Sequence, residues 1–182
     1  MNFLRTIYSL AAAASVLSCT SESIKSTYAG QESRIETFIQ NQLKTVENSY
    51  VVSNRGSERI VLVPGEGDGL AEDGTVSFRY AGYVFNSGSL SASNLFATND
   101  IQTAEAAGWS LDIENPYEPV TVRLSESGFV EGLRNGLPGV TAGEECIILF
   151  SGKYGFGGKA LGTIPANAAI AYHIWVESVE NE

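Results

Sequence analysis

The sequence predicts an α+β fold: one mainly β domain holding a single short helix, with an amphipathic helix before it. Short apolar runs with period-two alternation recur through the second half, and 19 glycines supply turns between them. Two stretches break that period for helical spacing. A chain of 182 residues accommodates one core with appendages rather than two cores.

The first residues stand apart from the fold. After Met1 to Arg5, the run from Thr6 to Leu17 is apolar and alanine-rich, shorter than a membrane span, and closes on Val16-Leu17-Ser18-Cys19. This resembles a bacterial lipoprotein signal over residues 1–18, with cleavage before Cys19 and a lipid anchor on its sulfur. An ordinary secretory peptide with an incidental cysteine is the alternative. Residues 19–30 are polar and unpatterned, as a flexible tether would be. Residues 31–48 then carry Ile35, Phe38, Ile39, Leu43 and Val46 at near-helical spacing. Glu32 and Glu36 fall in the early turns of that expected helix, where the dipole favours carboxylates. So short a helix is marginal alone, so its stripe is expected to pack on the domain or, alternatively, on a second copy.

The domain proper is expected over residues 50–182. Tyr50-Val51-Val52 and Ile60 to Val63 flank a turn at Asn54-Arg55-Gly56-Ser57, which predicts a hairpin. Pro64 to Gly69 and Glu72-Asp73-Gly74 are acidic and glycine-rich but lack the ligand spacing of a calcium loop, so they read as solvated turns. Val76, Phe78 and Tyr80 alternate along the next strand, Gly82 to Phe85 continue it, and Asn86 to Ser89 turn toward Phe96. An insertion of about 97–119 precedes Val120 to Leu124. Thr103 to Trp109 can form a helical turn there, and Trp109 with Tyr117 forms either a local mini-core or a substrate-facing wall.

The stretch from Phe129 to Val176 organises the rest. Val130, Leu133 and Leu137 share a helical face. Cys146, Ile148 and Phe150 line one side of the next strand, and a glycine-rich turn over Gly152 to Gly158 follows. Beyond Thr163-Ile164-Pro165, the last strand presents Ile170, Tyr172, Ile174 and Val176 on one face. Ala169, Ala171, His173 and Trp175 take the other. Together these pieces outline an apolar hollow.

Several function classes are excluded. Net charge is −10 with no lysine or arginine cluster, which argues against tracking a phosphate backbone. The single histidine, His173, faces outward, so no histidine-rich metal site or Ser-His-Asp arrangement assembles. Gly157-Gly158-Lys159-Ala160 lacks the spacing and the hydroxyl of a phosphate loop, and there is no nucleophile elbow. No metal and no cofactor are expected. If Cys19 is acylated, Cys146 has no disulfide partner and reads as a small buried hydrophobe.

Gly143-Glu144, Tyr154-Gly155-Phe156-Gly157 and Ile164-Pro165, in that order after the helix, resemble the C-terminal pattern of the FKBP-type peptidyl-prolyl isomerases. The resemblance reaches back to Tyr80 and Phe96 and covers roughly residues 50 to 181. It implies a twisted antiparallel sheet wrapped around one short helix, with the ligand pocket between them. It also implies a catalytic lining of Tyr80, Phe96, Val130, Phe156, Ile164 and Tyr172, with Leu133 and Val120 as substrate-binding residues. The Val130 backbone N–H would donate to a substrate carbonyl.

Leu133 stands where many members have tryptophan, and Val120 replaces a usual aromatic. Two further departures bear on activity. Ala97 replaces the aspartate that usually follows the pocket phenylalanine, and Phe156 replaces a ligand-bonding tyrosine. Both are expected to weaken binding without removing an apolar mechanism. The resemblance therefore implies isomerisation of X-Pro bonds in exported, proline-containing polypeptides of the cell envelope, at weakened activity. A non-catalytic peptide-binding module or chaperone on the same scaffold stays open, as does a structural lipoprotein associating through its N-terminal helix.

Overall fold

In the computed structural model, residues 3–86, 88–109 and 117–181 are described, the stretch up to residue 20 by its backbone alone. The elements run α1 (Phe3–Thr45), β1 (Tyr50–Asn54), β2 (Ser57–Val63), β3 (Thr75–Val84), β4 (Leu95–Thr98), α2 (Ile101–Ala106), β5 (Val120–Arg123), α3 (Glu131–Gly136), β6 (Glu145–Phe150) and β7 (Ile170–Glu180). The strands form one antiparallel sheet in the order β1-β2-β6-β7-β3-β4, with β5 also paired to β3.

The hairpin expected near residue 55 forms with Asn54 opposite Ser57. Arg55 and Gly56, at φ 48° and 86°, make its two-residue turn. Two successive positive φ values match the right-handed twist of the flanking strands, which is why a glycine sits there.

Strand alternation sorts the core into two faces. Val76 and Phe78 of β3, Cys146, Ile148 and Phe150 of β6, and Ile170, Tyr172, Ile174 and Val176 of β7 meet Leu133 and Leu137 of α3 on the inner face. The helix lies close because Gly132 and Gly136 have no side chain. A Cβ at Gly132 would stand 2.1 Å from the Phe150 ring, and one at Gly136 would stand 2.4 Å from Ile148. These two glycines, one helical turn apart, make the flat surface on which the sheet is laid.

The outer face receives α1. Ile35, Phe38 and Ile39 are buried against Ile60, Phe85, Ile147, Leu149 and Ala171, and Phe38 meets Phe85 edge to face at 5.3 Å. The amphipathic stripe thus packs on its own domain.

Two expectations about α1 are corrected. Residues 19–30 are not a tether but part of one helix that runs from Phe3 to Thr45. Nothing between Thr20 and Gln31 breaks a helix except Gly30, whose interior cost is only about 1 kcal/mol, and Tyr28 is anchored by a hydrogen bond to Asn167. Glu32 and Glu36 accordingly sit in mid-helix rather than in a first turn, where the dipole gives them nothing. The expected leader of residues 1–18 and the Cys19 sulfur lie outside the described side chains.

The 97–119 insertion also divides differently. Ala97 and Thr98 belong to β4, where Ala97 pairs with Gly82, and α2 occupies residues 101–106. Asp100 caps α2, its carboxylate accepting from the Thr103 N–H at 2.8 Å. Trp109 packs with Ala107 and Trp175 against Ala81, Tyr83 and Leu95. That is a mini-core on the sheet face opposite Tyr80 and Tyr172. Tyr117 is half-buried, and residues 110–116 lie outside the described ones.

Candidate active site

Aromatic rings gather on the inner face of the sheet where β3, β4 and β7 meet. Tyr172 is the centre. Its ring meets Tyr80 at 6.1 Å and Phe96 at 5.8 Å edge to face, and stacks on Phe150 at 6.2 Å. Phe96 in turn meets Phe156 at 5.9 Å, nearly perpendicular. Edge-to-face pairs at such spacings add about 0.5–1.5 kcal/mol each beyond area burial, so the rings fix one another.

The strands explain the convergence. Gly82 lies opposite Tyr172 in the β3–β7 ladder. A Cβ there would stand 2.7 Å from the Phe96 ring and 3.0 Å from that of Tyr172. The absent side chain is therefore the space into which both rings lean. A register shift between Gly82 and Tyr83 in the β3–β4 pair turns the short strand so that Phe96 reaches this space.

Tyr80 is held by its backbone. Asn99, 5% exposed, accepts from the Tyr80 N–H at 2.6 Å and donates its own N–H to the Tyr80 carbonyl at 3.1 Å. Its side-chain amide also donates to the Glu118 carbonyl at 2.8 Å, and Thr98 Oγ1 adds a 2.7 Å bond to the Tyr80 carbonyl. Asn99 thus joins β3 to the segment entering β5. No spacing rule points to it, because its partners are backbone atoms about twenty positions away.

The remaining expected residues belong to the same inner core or pack against it. Leu133 (4% exposed) and Ile164 (6%) are in the inner core with Tyr172, and Tyr80, Phe96, Val120, Val130 and Phe156 are partly buried against it. Val120 reaches the cluster from β5, opposite Phe78. Val130 caps α3 in an extended conformation rather than lying within the helix. Among the described residues its N–H has no backbone acceptor. Phe129 packs on Phe78 at 5.9 Å, extending the aromatic wall. Phe150, beneath Tyr172, was legible as core but not as the floor of this site.

The surroundings of these rings are apolar and uncharged. Burial raises the phenol pKa of Tyr172 far above its ordinary value, with a smaller push from Tyr80, and burial also raises that of Tyr80. Both hydroxyls therefore stay protonated at neutral pH. Among the described residues no cluster of histidine, cysteine or carboxylate side chains is arranged to hold a metal ion. His173 faces the other way, stacked on Trp175 at 4.0 Å and 2.8 Å from Glu145 Oε1.

An antiparallel sheet wrapped on one short helix, with tyrosine and phenylalanine rings gathered on its inner face, is the architecture of the immunophilin class. The comparisons agree. A family model described as FKBP-type peptidyl-prolyl cis-trans isomerase matches residues 67–177, so the chain belongs to that family and is a peptidyl-prolyl cis-trans isomerase. FK506-binding protein 1 of Aspergillus oryzae is 24% identical over 119 residues, 65% of this chain and 94% of that protein. Among solved structures, FkpA from Escherichia coli is similar with a TM-score of 0.54 at 18% identity, across 99% of this chain and 74% of that one. A peptidyl-prolyl cis-trans isomerase from Pseudomonas syringae gives 0.55 at 17% identity, across 85% and 96%. At these identities the two structures speak to the fold.

Proposed function

We propose that this chain isomerises X-Pro bonds of exported proteins in the bacterial cell envelope, anchored by lipid on Cys19, with activity lowered by Ala97 and Phe156. The observation that carries the chemistry is the convergence of the Tyr80, Phe96, Phe156 and Tyr172 rings on the inner face of the sheet. Amide resonance keeps the X-Pro bond planar behind a barrier of about 18–20 kcal/mol. The twisted transition state has lost part of that resonance and its charge separation. A water-poor hollow favours it over the planar dipolar ground state, and aromatic walls hold the pyrrolidine ring. No nucleophile or proton transfer is required. The Val130 N–H is available to orient a substrate carbonyl, and Tyr80 and Tyr172 keep hydroxyls that can donate.

The lowered activity rests on two side chains. Phe156 has no hydroxyl to offer a ligand, a loss of about 0.5–1.5 kcal/mol, or up to about tenfold in binding. Ala97 removes the carboxylate that the family sets beside the pocket tyrosine. The envelope location rests on the apolar run from Thr6 to Leu17 and on Ser18-Cys19. The same two losses favour a second reading, a module that holds proline-containing peptides without turning them over.

Cis/trans exchange of a short X-Pro peptide with the purified protein tests the first reading. A rate equal to that in buffer discards it. Restored turnover in Ala97→Asp/Phe156→Tyr would then favour the second. Metabolic labelling with a radiolabelled fatty acid, lost in Cys19→Ala, is the expected result for the anchor; label retained in that variant overturns it.

A further inference from the structure

The loop between β6 and β7 carries two site residues, Phe156 and Ile164, and its own sequence is rich in glycine, which adds conformational freedom to be restrained. Its two legs come together where Gly152 passes Asn167 so closely that a Cβ at Gly152 would stand 2.0 Å from the Asn167 carbonyl oxygen. At this crossing sits the carboxamide of Gln31, from α1, on a side chain only 5% exposed. Its Oε1 accepts from the Gly152 N–H at 2.8 Å, and its Nε2 donates to the Asn167 carbonyl at 2.7 Å. One side chain therefore satisfies a backbone group on each leg. Around it, the Tyr28 hydroxyl donates to Asn167 Oδ1 at 2.9 Å, and Ser151 Oγ donates to Glu32 Oε1 at 3.3 Å. Asn167 is itself at φ 56° and donates its N–H to the Gly157 carbonyl at 2.8 Å. The bonds thus pass from α1 through Asn167 to the turn that follows Phe156.

We infer that Gln31 is a positioning residue for isomerisation: it clamps the Gly152–Asn167 crossing and so sets Phe156 against Phe96 and Ile164 against the inner core. The inference rests on the isomerase reading. It gives the N-terminal helix, which lies outside the segment matching the family model, a part in the geometry of the site. Without the carboxamide the buried Gly152 N–H loses its acceptor and the part-buried Asn167 carbonyl its donor, so the crossing opens and the two apolar walls lose their fixed separation.

The test uses the full chain and Gln31→Met, which keeps length and volume but neither donates nor accepts through an amide. Expected are an unchanged circular dichroism spectrum and kcat/KM for an X-Pro peptide lower by about tenfold, mostly through a raised KM. Amide exchange should quicken by at least about tenfold at Gly152 and Asn167, with β6 and β7 amides unaffected. A purely structural role would instead loosen the sheet amides and leave KM alone. Parent-like KM in Gln31→Met, or unchanged exchange at Gly152, overturns the inference. If the parent itself fails to accelerate the peptide, the isomerase reading has failed, while the exchange comparison still decides whether Gln31 clamps the loop.

Discussion

Arg59 Nε lies 3.5 Å from Glu144 Oε1, and both side chains are almost wholly withdrawn from water, at 5% and 2% exposure. The contact is too long for a good hydrogen bond, and neither atom has another partner. Arg59 spends its Nη1 on three carbonyls at the end of α3, those of Gly136, Leu137 and Pro138, at 3.1–3.4 Å. A cation there complements the negative end of the helix dipole and satisfies carbonyls that the helix leaves open. Glu144 balances its charge.

Arg59→Met should therefore lower the unfolding free energy by about 3–5 kcal/mol, because Glu144 is left buried and uncompensated. Urea unfolding at constant m-value measures it. Arg59→Met/Glu144→Leu should recover a large part of the loss; a double variant as unstable as the single one would show that the pairing is not the cause.

Gly82→Ala places a methyl in the space claimed by Phe96 and Tyr172. Overpacking should cost about 1–3 kcal/mol and displace the Phe96 ring. Peptide turnover should fall more than stability does. Full turnover in this variant would mean that the ring contact does not shape the site.

Burial lowers the His173 pKa below its ordinary 6.5, against the opposing pull of Glu145 and, more weakly, Asp100. The fold thus prefers the neutral ring. This contribution to stability is fully present above pH 6.5 and is lost as pH falls through the lower folded value, since the unfolded chain takes up the proton first. As the chain has one histidine, its Cε1 proton gives an isolated NMR titration. A midpoint at or above 6.5 would contradict this.

Cys146 is 0% exposed and burial raises its thiol pKa well above the ordinary value, with Glu144 adding to the effect. In the native protein it should not react with a thiol reagent at pH 8, and it should react fully in denaturant. Fast native labelling would place it elsewhere.

Much of this was legible in the sequence. Cys146, Ile148 and Phe150, and Tyr172 with its neighbours, announced which side chains share the inner face, because successive residues of a strand point to opposite sides. The Arg55-Gly56 turn and the stripe of Ile35, Phe38 and Ile39 were legible for equally local reasons. What escaped depends on partners far away in the chain. Polar residues 19–30 look like a linker by composition, and are helical in a chain whose next turns are docked on Asn167 and the outer face. Asn99 and Gln31 look like any polar residue until the backbone groups they satisfy are brought beside them. Trp109, on a segment without clear period, gave no sign of which sheet face it would cover.

The placement of the two tryptophans has a practical outcome. Trp109 and Trp175 share one cluster behind the sheet, and Leu133 in the inner core stands where many FKBP-type members have tryptophan. Intrinsic emission from this protein will thus register melting of the outer layer while staying silent when a peptide docks. Affinity should be read from a labelled ligand instead.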